Sequence, residues 1–406
     1  MGYSLINKKT EERLSKPAIV FAYIFFVFLI SRFSMYVMFY KATGNHSLHD
    51  FIISMNKWDC GWYKWYITNI ADNLNILSAQ PAPNGQAWWA FFPLYPSLVA
   101  ALWKIFGHDN VDNLYYIGQS LNTIFFFIAE YFGFKYILLT RRSTFSAYSY
   151  ITFMSLGLYS FYFSIIYTEA LFLMLLTLCF YFMKTKKYIA MGVAGALLSA
   201  TRNAGIMFVF VVLIDCLQEY ITEDLTFDKT HKILSIMKNL RVFVMKYIKC
   251  PELILGTCLV PLGFFSYMAL LSKITGDGLA FLHVQRSWGK NTNGLYLNMK
   301  QAFYYSFPPS YLSIATLIVI LIIIITCVRQ KRYYETIFSV IILLASASSS
   351  FDSVPRYAIG CFTLVAAFSD EFSHFKPINK IVIGLMIMLY EIILIRYWFF
   401  NSPLMV

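Results

Sequence analysis

Charged residues are scarce in this sequence, at 13% of 406 residues against about a quarter in an ordinary soluble domain. That scarcity excludes a soluble enzyme, and no separate soluble domain of useful size fits between the apolar segments. Hydrophobic residues instead make up 59% of the chain. Because one crossing takes ~20 residues, the length allows about ten or eleven transmembrane helices. The sequence therefore predicts an all-α polytopic membrane protein, built as a single integral-membrane domain over residues 1–406.

Metal-ligand patterns and paired cysteines are also lacking. The seven cysteines are scattered, and most lie in or beside apolar runs, without the spacing of a zinc site or a disulfide framework. The predicted outer loops hold no clustered Asp, Glu and His set with ligand spacing. His46, His49 and Asp50 stand close together, but a polar loop accounts for them. We therefore expect neither a metal nor a cofactor.

Acidic residues are few, with 21 Asp and Glu against 33 Lys and Arg, which gives a formal net charge of +12. Such a balance can indicate a nucleic-acid partner. Here, however, the basic residues form short clusters between apolar runs, as the positive-inside rule requires. The clusters predicted to be cytoplasmic are the N-terminal one at 8–16, Arg141 with Arg142, Lys184–Lys187, and Arg329–Arg332. We therefore expect the lipid bilayer as a partner and no nucleic acid.

The apolar runs and basic clusters together divide the chain into crossings and loops. They predict a first outer loop at about 41–96, a cytoplasmic loop at about 218–250 and a second outer loop at about 272–306. Pro93 and Pro96 interrupt the short apolar run that begins there. That segment should therefore be interfacial or re-entrant rather than spanning.

Two later segments are predicted to differ in continuity. Tyr148–Ile166 has the length and apolarity of one crossing. Tyr188–Leu217 is too long for a simple crossing and is interrupted by TRNAG at Thr201–Gly205. We predict two short helices that meet on the outer side, with Arg202 at their junction.

One short stretch of the first outer loop, WDCGWYKWY at Trp58–Tyr66, combines a lone carboxylate with many aromatic rings. If the helix began at Trp58, its tryptophans would repeat at i, i+4 and i+7, with Asp59 heading an adjacent stripe. Tryptophan and tyrosine favour the membrane interface, so this helix should lie at headgroup level and present Asp59 close to lipid. The alternative is an interfacial anchor whose Asp59 merely caps the helix N-terminus.

Five polar islands share the predicted outer side of the membrane. They are Asp59, Tyr167 to Glu169, Arg202, the group Gln285, Arg286 and Trp288, and Arg356. Charges at membrane depth are rare and mark pathways or sites. Arginine forks pair with phosphate, and aromatic faces stack on sugar rings or prenyl chains. The combination suits an amphiphile with a phosphate in its headgroup.

At these islands the sequence resembles the PIG-V-type mannosyltransferases and their bacterial relatives. The motifs that match, in the family's order, are WDCGWY at Trp58–Tyr63, FFPLYP at Phe91–Pro96, SIIYTEALF at Ser164–Phe172, SATRNAG at Ser199–Gly205, VQRSWG at Val284–Gly289 and SVPRYAIG at Ser353–Gly360. The resemblance implies the GT-C architecture, with a polyprenyl-phosphate-sugar donor used on the extracytoplasmic side. RNAG departs from the RSNG-like form of eukaryotic members. A bacterial cytoplasmic membrane with an outward site is therefore expected, or the endoplasmic reticulum membrane in a eukaryote.

The same resemblance implies roles for individual residues. Asp59 matches the acidic residue of the first outer loop that is taken as the base activating the acceptor hydroxyl. Glu169 is the second predicted catalytic residue; it would hold a sugar hydroxyl or position an arginine, or it is a buried partner of an intramembrane arginine. The expected donor-phosphate ligands are Arg202, Arg286 and Arg356, and the expected substrate contacts are Trp58, Trp62, Tyr63, Tyr167, Gln285 and Trp288.

The implied reaction is inverting transfer of a hexose, with mannose expected, to a lipid-linked or glycan acceptor. Three other functions fit the same features. The first is a transporter or flippase of a prenyl-linked sugar, which also needs intramembrane charges. The second is a GT-C enzyme of another specificity, such as an aminoarabinose or protein-linked transferase. The third is a non-catalytic assembly subunit that retains the fold.

Overall fold

The computed structural model of the protein describes residues 8–72, 80–107, 110–141, 143–223, 239, 242–289, 296–298, 300, 308–349 and 354–400. Within these ranges the backbone forms α-helices, short 3₁₀ helices and their connections, and no strand. The α-helices are α1 (Lys8–Leu14), α2 (Pro17–Thr43), α3 (Leu48–Ser54), α4 (Cys60–Ala71), α5 (Leu94–Phe106), α6 (Asp112–Arg141), α7 (Thr144–Leu156), α8 (Glu169–Lys184), α9 (Tyr188–Thr201), α10 (Phe208–Glu223), α11 (Pro251–Leu259), α12 (Leu262–Thr275), α13 (Ala280–His283), α14 (Pro308–Arg329), α15 (Tyr333–Ser349), α16 (Val354–Gly360), α17 (Phe362–Ser373) and α18 (Pro377–Phe399). The 3₁₀ helices are Trp88–Ala90, Ser160–Ser164, Asn203–Met207 and Val284–Trp288.

Several of these helices have the length and apolarity of membrane spans. Among the described residues, five segments reach that standard: Pro17–Thr43, Asp112–Arg141, Asn203–Thr222, Pro251–Thr275 and Pro377–Phe399. Shorter apolar helices accompany them at Leu94–Phe106, Tyr188–Thr201, Leu317–Arg329 and Tyr333–Ser348. Large apolar side chains such as Phe26 (61%) and Met386 (64%) are exposed on the outer helices, where lipid can cover them. The protein is an all-helical, multi-pass membrane protein, as the composition predicted.

Helix α8 lies at the centre of the structure. Most of its side chains are buried, and it packs against α6 on one side and α9 on the other. Beyond α9, the backbones of α9 and α11 touch at Gly192, where a Cβ would come within 2.4 Å of the Gly256 carbonyl oxygen. Such close approach between helices is typical of packing inside a bilayer. Helix α8 is thus held on both sides, and its two termini are fixed in position.

The two termini of α8 define the two ends of the molecule. We call the end that holds Glu169, with Asp59 and Arg356, the site end. The opposite end holds Lys184, the last residue of α8, and we call it the basic end. The 16 residues between them span about 24 Å at 1.5 Å per residue. The charged groups therefore lie in two separate layers.

The basic residues predicted to be cytoplasmic meet at the basic end. Arg141 at the end of α6 forms a 2.6 Å ion pair with Glu335 on α15. Arg332 donates to the carbonyl oxygen of Thr140 at 2.9 Å. Arg142 lies outside the described residues. The described members of two clusters that are far apart in the sequence are therefore neighbours, which agrees with their prediction to one side of the membrane.

The segment Tyr148–Ile166 connects the basic end, at Arg141, to the site end, at Glu169, as a crossing must, but it is not one continuous helix. Helix α7 ends at Leu156, and Tyr159 adopts a left-handed conformation with φ 64° before the 3₁₀ helix begins. The carboxylate of Glu391 on α18 accepts hydrogen bonds from the Tyr159 N–H at 2.6 Å and the Ser160 hydroxyl at 2.8 Å. Glu391, which is 231 residues from Ser160 in the sequence, thus provides hydrogen-bond acceptors that a continuous helix would have supplied from its own backbone.

The region Tyr188–Leu217 breaks where predicted. Helix α9 ends at Thr201, Arg202 is extended, and the chain re-enters helical structure at Asn203. Helix α10 continues to Glu223, about six residues into the predicted cytoplasmic loop. Much of the rest of that loop lies outside the described residues. The break places the Arg202 side chain at a helix end instead of in the middle of a span.

Helix α5, which follows Pro93, is short. Its 13 residues extend about 20 Å, less than the ~30 Å hydrocarbon core. The Tyr95 hydroxyl donates to the Gly118 carbonyl at 3.3 Å, and the Trp103 indole donates to the Asn110 carbonyl at 3.1 Å. Both ends of α5 therefore lie beside the beginning of α6. This placement supports the prediction that the segment is interfacial.

Candidate active site

Four charged side chains meet at the site end in a chain of ion pairs. Asp59 Oδ2 lies 2.8 Å from Arg356 Nη1, and Arg356 Nε donates to Glu169 Oε1. Arg202 Nη2 lies 3.2 Å from the same Glu169 oxygen. The Glu169 side chain is fully buried, whereas Arg202, Arg356 and Asp59 keep 11%, 15% and 30% of their side-chain surface exposed. The chain therefore leads from a buried carboxylate to an accessible one.

These residues stand at helix ends or in a short helix. Glu169 is the first residue of α8, Arg202 links α9 to the next 3₁₀ helix, and Asp59 directly precedes α4. Arg356 lies in the second half of the molecule, on the seven-residue α16. Side chains at helix ends can approach one point from several directions. This is how residues from four distant parts of the sequence come together.

Asp59 is not a helix cap in this structure. It occupies the N-cap position of α4, but its side chain makes no capping hydrogen bond. Its carboxylate faces Arg356 instead, while its backbone N–H donates to the Tyr167 hydroxyl at 3.1 Å. An N-cap side chain is expected to accept from the second or third helical N–H. The capping alternative therefore does not explain the position of this carboxylate.

The backbone just before Asp59 is in an unfavourable conformation. Trp58 has φ 56°, in the left-handed region, where a bulky residue costs about 1–3 kcal/mol. The predicted helix start at Trp58 is therefore wrong, and the helix begins at Cys60. The Asp59 carboxylate pairs with Arg356 and keeps 30% of its side-chain surface exposed, so its position close to lipid stays a prediction. The 43% exposed Trp58 ring lies at the surface.

Helix α4 has a buried and an exposed face. Tyr63 and Tyr66 are buried, while Trp65 is 41% exposed and Trp62 is partly buried. The tyrosine stripe thus packs into the protein and the tryptophan stripe lies towards its surface. The expected amphipathic arrangement of the helix is present, with the tyrosine side turned inward.

The loop that carries Asp59 is attached to the last helix. The Lys57 ammonium donates to the carbonyl oxygens of Trp398 at 2.8 Å and Phe399 at 3.2 Å, at the C-terminus of α18. The Trp398 indole donates back to the Met55 carbonyl at 3.1 Å. Partial burial lowers the pKa of Lys57. A cation at a helix C-terminus is favoured by the helix dipole, so the contact stabilises both partners.

One oxygen of the buried Glu169 is unpaired. Oε1 accepts from both arginines, whereas Oε2 has no hydrogen-bond partner among the described residues. The neighbouring Thr168 hydroxyl is buried and likewise without a partner there. Buried polar atoms are nearly always hydrogen-bonded, so exceptions call for an explanation. These two atoms provide an acceptor and a hydroxyl beside the ion-pair chain.

Aromatic rings cover the two arginines. The Arg356 guanidinium lies 4.2 Å from the centroid of the Tyr167 ring, and that of Arg202 lies 4.7 Å from Tyr357. Tyr167 in turn contacts Tyr63, with ring centroids 5.8 Å apart. Such stacking fixes the planes of the guanidinium groups without using their N–H donors. Both forks therefore remain able to donate to oxygens.

A second group of rings lies beside the charged chain. Trp62 and Trp288 are 5.7 Å apart, and Phe91 lies within 6.3 Å of each. We call these three residues the aromatic patch. Phe91 also contacts Tyr63 at 5.1 Å, which connects the patch to the ion pairs. Gln285 is one turn before Trp288, and its amide donates to the Phe281 carbonyl at 3.4 Å, so it serves the local backbone here.

Arg286 is not part of the cluster that the sequence predicted. Its side chain is exposed, and no ion pair to it is present in the part of the chain that the structure describes. A 3₁₀ helix has three residues per turn, so burying Val284 turns the residue two positions later away from the interior. Trp288, on the same short helix, belongs to the aromatic patch, whereas Arg286 lies at the surface of the protein.

Sequence reasoning missed several residues that shape the site. Lys57 and Trp398 hold the Asp59 loop, and Tyr357 covers Arg202. Asn122 on α6 donates its amide to the Tyr167 carbonyl at 3.2 Å from a fully buried position. A lone amide inside a predicted span was a usable signal for Asn122. Lys57 directly precedes the motif at Trp58–Tyr63, and Tyr357 lies within SVPRYAIG, but the residues that each contacts are far away in the sequence.

The described residues do not group into a metal centre: no three His, Cys, Asp or Glu side chains among them could hold one ion. Cys60 lies next to Asp59, but burial and the adjacent carboxylate raise the pKa of its thiol well above the usual value. A neutral buried thiol is a poor nucleophile. The chemistry that the site can support is therefore proton transfer to a carboxylate together with binding of an anion by arginine.

Comparisons with known proteins concern family models, curated proteins and solved structures. No protein-family model matches the chain, and no curated protein matches it. A crystal structure of the Archaeoglobus fulgidus oligosaccharyltransferase, in complex with zinc and sulfate, is similar with a TM-score of 0.49 and 12% sequence identity. The alignment covers 92% of this chain and 53% of that one, so the chain spans about half the length of this structure.

Proposed function

We propose that the protein is an inverting glycosyltransferase of GT-C type that takes a hexose, mannose in the first instance, from a polyprenyl-phosphate donor. The acceptor is a lipid-linked or glycan hydroxyl on the extracytoplasmic side of the membrane. The observation that carries the proposal is the chain from Asp59 through Arg356 and Glu169 to Arg202, which puts a partly exposed carboxylate beside two arginines. The motif resemblance to PIG-V-type enzymes adds the substrate class.

The role proposed for Asp59 is general base. As the acceptor hydroxyl attacks the anomeric carbon, its proton passes to the carboxylate, and the bond between that carbon and the phosphate oxygen breaks. One displacement inverts the anomeric centre. Asp59 is the more exposed of the two carboxylates, at 30% against none for Glu169. An ionised carboxylate within hydrogen-bond reach is what this step requires.

The leaving polyprenyl phosphate takes the bonding electrons and gains negative charge. Arg356 and Arg202 are proposed to stabilise it, because preorganised cations aimed at the developing charge lower the barrier most. The carboxylate contacts described above use Nε and Nη1 of Arg356, so its fork retains an Nη2 group for phosphate. Arg286 would act at most at the entrance, given its exposure.

Glu169 is proposed to orient the arginines and to receive a sugar hydroxyl. Its Oε1 holds both guanidinium groups, and its unpaired Oε2 can accept a hydrogen bond from substrate. The aromatic patch provides apolar faces that suit a sugar ring or the first prenyl units. Trp58 and Tyr167 border the same region, Trp58 from the surface and Tyr167 from beneath Arg356.

The transporter alternative receives less support from the structure. A transporter must open alternately at both ends. At the basic end, Arg141 and Glu335 have no exposed side-chain surface and are tied to neighbouring helices. The polar groups that could bind substrate are concentrated at the site end. An enzyme needs access from that end alone.

The experiment is a transfer assay with the purified protein in proteoliposomes. Polyprenyl-phospho-mannose with labelled mannose is supplied together with an extract of candidate acceptor lipids, and a nucleoside-diphosphate mannose serves as the control donor. We expect label in the acceptor, release of free polyprenyl phosphate, and no transfer from the control. Intact donor crossing the bilayer without cleavage would instead identify a flippase. Intact donor with neither transfer nor translocation would refute the proposal for this sugar and these acceptors.

A further inference from the structure

An apolar groove lies on the lipid-facing surface between α9 and α12, close to the site but outside the chemistry described above. Its volume is about 380 Å³. Small residues line it, with partly buried Ala196 and Ala200 on α9 and exposed Ser266 on α12. Leucines at its rim, such as Leu262 (49%) and Leu270 (37%), are exposed. The groove is therefore open sideways to the bilayer.

Close helix packing forms one side of the groove. A Cβ on Gly263 would come within 2.0 Å of the Ala196 carbonyl oxygen and 2.6 Å of the Ala200 nitrogen, so the two backbones nearly touch there. The Ser199 hydroxyl donates to the Val260 carbonyl at 2.6 Å and fixes this contact. Because the helix pair is held by backbone contacts, the small side chains beside it leave free space.

The groove adjoins the ion-pair chain on one side and the aromatic patch on the other. Ala200 precedes Arg202 by two residues, at the point where α9 ends. On the other side Tyr267, which lines the groove, donates its hydroxyl to the carbonyl oxygens of Trp89 at 2.9 Å and Phe91 at 3.0 Å. Phe91 belongs to the aromatic patch. A chain lying in the groove would therefore have its polar end at Arg202 and the patch.

The geometry points to this groove as the binding site for the hydrocarbon tail of an anionic amphiphile, a polyprenyl phosphate, whose phosphate meets Arg202 and Arg356. The inference rests on the proposed function for the identity of the headgroup. Charge complementarity supports it, because a cationic pair stands beside an apolar channel open to lipid. The cavity holds a short part of the tail, and the remainder stays in the bilayer. Burial of apolar surface then adds affinity without affecting the reacting centre.

The test is photolabelling with a polyprenyl phosphate that carries a photoreactive group in its tail and no sugar. Labelled peptides from the full-length protein in nanodiscs should map to α9 and α12, and unlabelled polyprenyl phosphate should compete. Ser266→Phe fills the groove from an exposed position, and Ala196→Leu fills it from α9. Ala269→Phe is the matched control, since Ala269 is exposed on α12 but does not line the groove.

We expect labelling of each groove-filling variant to fall about tenfold, equivalent to about 1.4 kcal/mol, with the control variant unchanged. Equal labelling of the Ser266→Phe and Ala269→Phe variants would overturn the inference. So would competition by phosphatidylglycerol as strong as that by polyprenyl phosphate, which would mark a groove for bulk lipid. If Ser266→Phe does not fold, Ala196→Leu decides on the same criteria.

Labelling needs no turnover, so the inference and the proposed function can fail separately. If the groove is labelled but no sugar is transferred, the tail site stands and the reaction is wrong. If transfer occurs, KM for a long-chain donor should rise about tenfold in Ser266→Phe while KM for a donor with two isoprene units stays constant. An equal KM increase for both donors would contradict the tail site and leave the glycosyltransferase function intact.

Discussion

The two ends of α8 carry similar charged side chains, which differ in how they are paired and how far they are exposed. At the basic end, both oxygens of Glu335 are satisfied: Oε1 accepts from Tyr136 at 2.6 Å and from Arg141 at 3.2 Å, and Oε2 accepts from Arg141 at 2.6 Å. Arg332 adds a further contact at 3.4 Å. Neither Arg141 nor Glu335 has exposed side-chain surface. Arg141 Nε is buried without a partner among the described residues, but it has no exposed surface through which a ligand could reach it. This buried network joins helices.

At the site end the glutamate is incompletely paired and the network is partly open. Oε2 of Glu169 has no partner among the described residues, and Asp59 is 30% exposed. Buried polar networks rigidify a structure when they are fully satisfied, and an unsatisfied member is costly. An unpaired buried oxygen is therefore expected where a substrate supplies the missing hydrogen bond. Both clusters contain arginine and glutamate, and they differ in two respects: the glutamate is fully paired only at the basic end, and the Arg141–Glu335 pair there has no exposed side-chain surface, whereas Asp59 at the site end does.

The largest expected effect is at Asp59. Asp59→Asn keeps the shape of the side chain but cannot take the proton, so turnover should fall ~10²–10⁴-fold, the usual contribution of general-base catalysis. Donor binding and thermal unfolding should change little. The measurement is kcat in the transfer assay, with unfolding followed in detergent. Near-normal turnover in Asp59→Asn would show that another carboxylate does the chemistry, with Glu169 the next candidate.

The second prediction tests the comparison at the basic end. Glu335→Gln leaves Arg141 buried without its counter-charge, which should destabilise the fold by about 3–5 kcal/mol. Turnover per folded molecule should stay near the wild-type value, because no part of the site is touched. Chemical unfolding gives the first quantity and active-site titration corrects the second. If Glu335→Gln reduced kcat as strongly as Asp59→Asn without loss of stability, the division between the two ends would be wrong.

The third prediction orders the three arginines by their contribution to phosphate affinity. Replacement by lysine keeps the charge but loses the fork, and one charged hydrogen bond is worth about 1.5–3 kcal/mol. Donor affinity should therefore drop about 10- to 100-fold for Arg356→Lys. It should drop less for Arg202→Lys and hardly at all for the exposed Arg286→Lys, which is the control. Isothermal titration with polyprenyl phosphate measures this order, and unchanged affinity in all three variants would remove the phosphate-binding proposal.

The smallest effect concerns an exposed pair near the site end. Hydrogen bonds from His283 and from the Leu279 N–H lower the pKa of Asp277. A carboxyl with a lowered pKa stabilises the fold above its ordinary pKa and loses that contribution as the pH falls through the lowered value. Asp277→Asn should therefore lower the midpoint of thermal unfolding slightly at pH 7. The difference should persist from pH 7 down to about pH 4 and shrink below that, as the Asp277 carboxylate is protonated. A difference that grew on acidification would contradict this assignment.

Much of this arrangement could be predicted from the sequence because it follows from periodicity and charge placement. The alternation of apolar runs with basic clusters predicted that Arg141 and the Arg329–Arg332 cluster share one end, and Arg332 indeed contacts Thr140. The same reasoning, together with the resemblance, predicted that Asp59, Glu169, Arg202 and Arg356 lie near one another, and the structure places all four in one chain of ion pairs. Their catalytic roles stay predictions.

What could not be predicted depends on contacts between distant parts of the chain. The interruption after α7 is stabilised by Glu391, which follows Tyr159 by 232 residues. The left-handed Trp58 has no local signal, because such a conformation is rare for a bulky residue. The exposure of Arg286 follows from the turn of a 3₁₀ helix that motif spacing does not reveal. In each case tertiary structure overrode a reasonable local pattern.

The distance in sequence between the two halves of the site has a consequence for biosynthesis. Asp59 and Arg356 are 297 residues apart, and Lys57 finds its partner Trp398 341 residues later. At about 5–20 residues per second, the first outer loop emerges on the order of 15 to 60 s before its counter-charge is synthesised. During that time Asp59 lacks Arg356, and the loop lacks its attachment to α18. A chain interrupted before α18 would hold all four charged residues of the site end, but the loop that carries Asp59 would still be unattached.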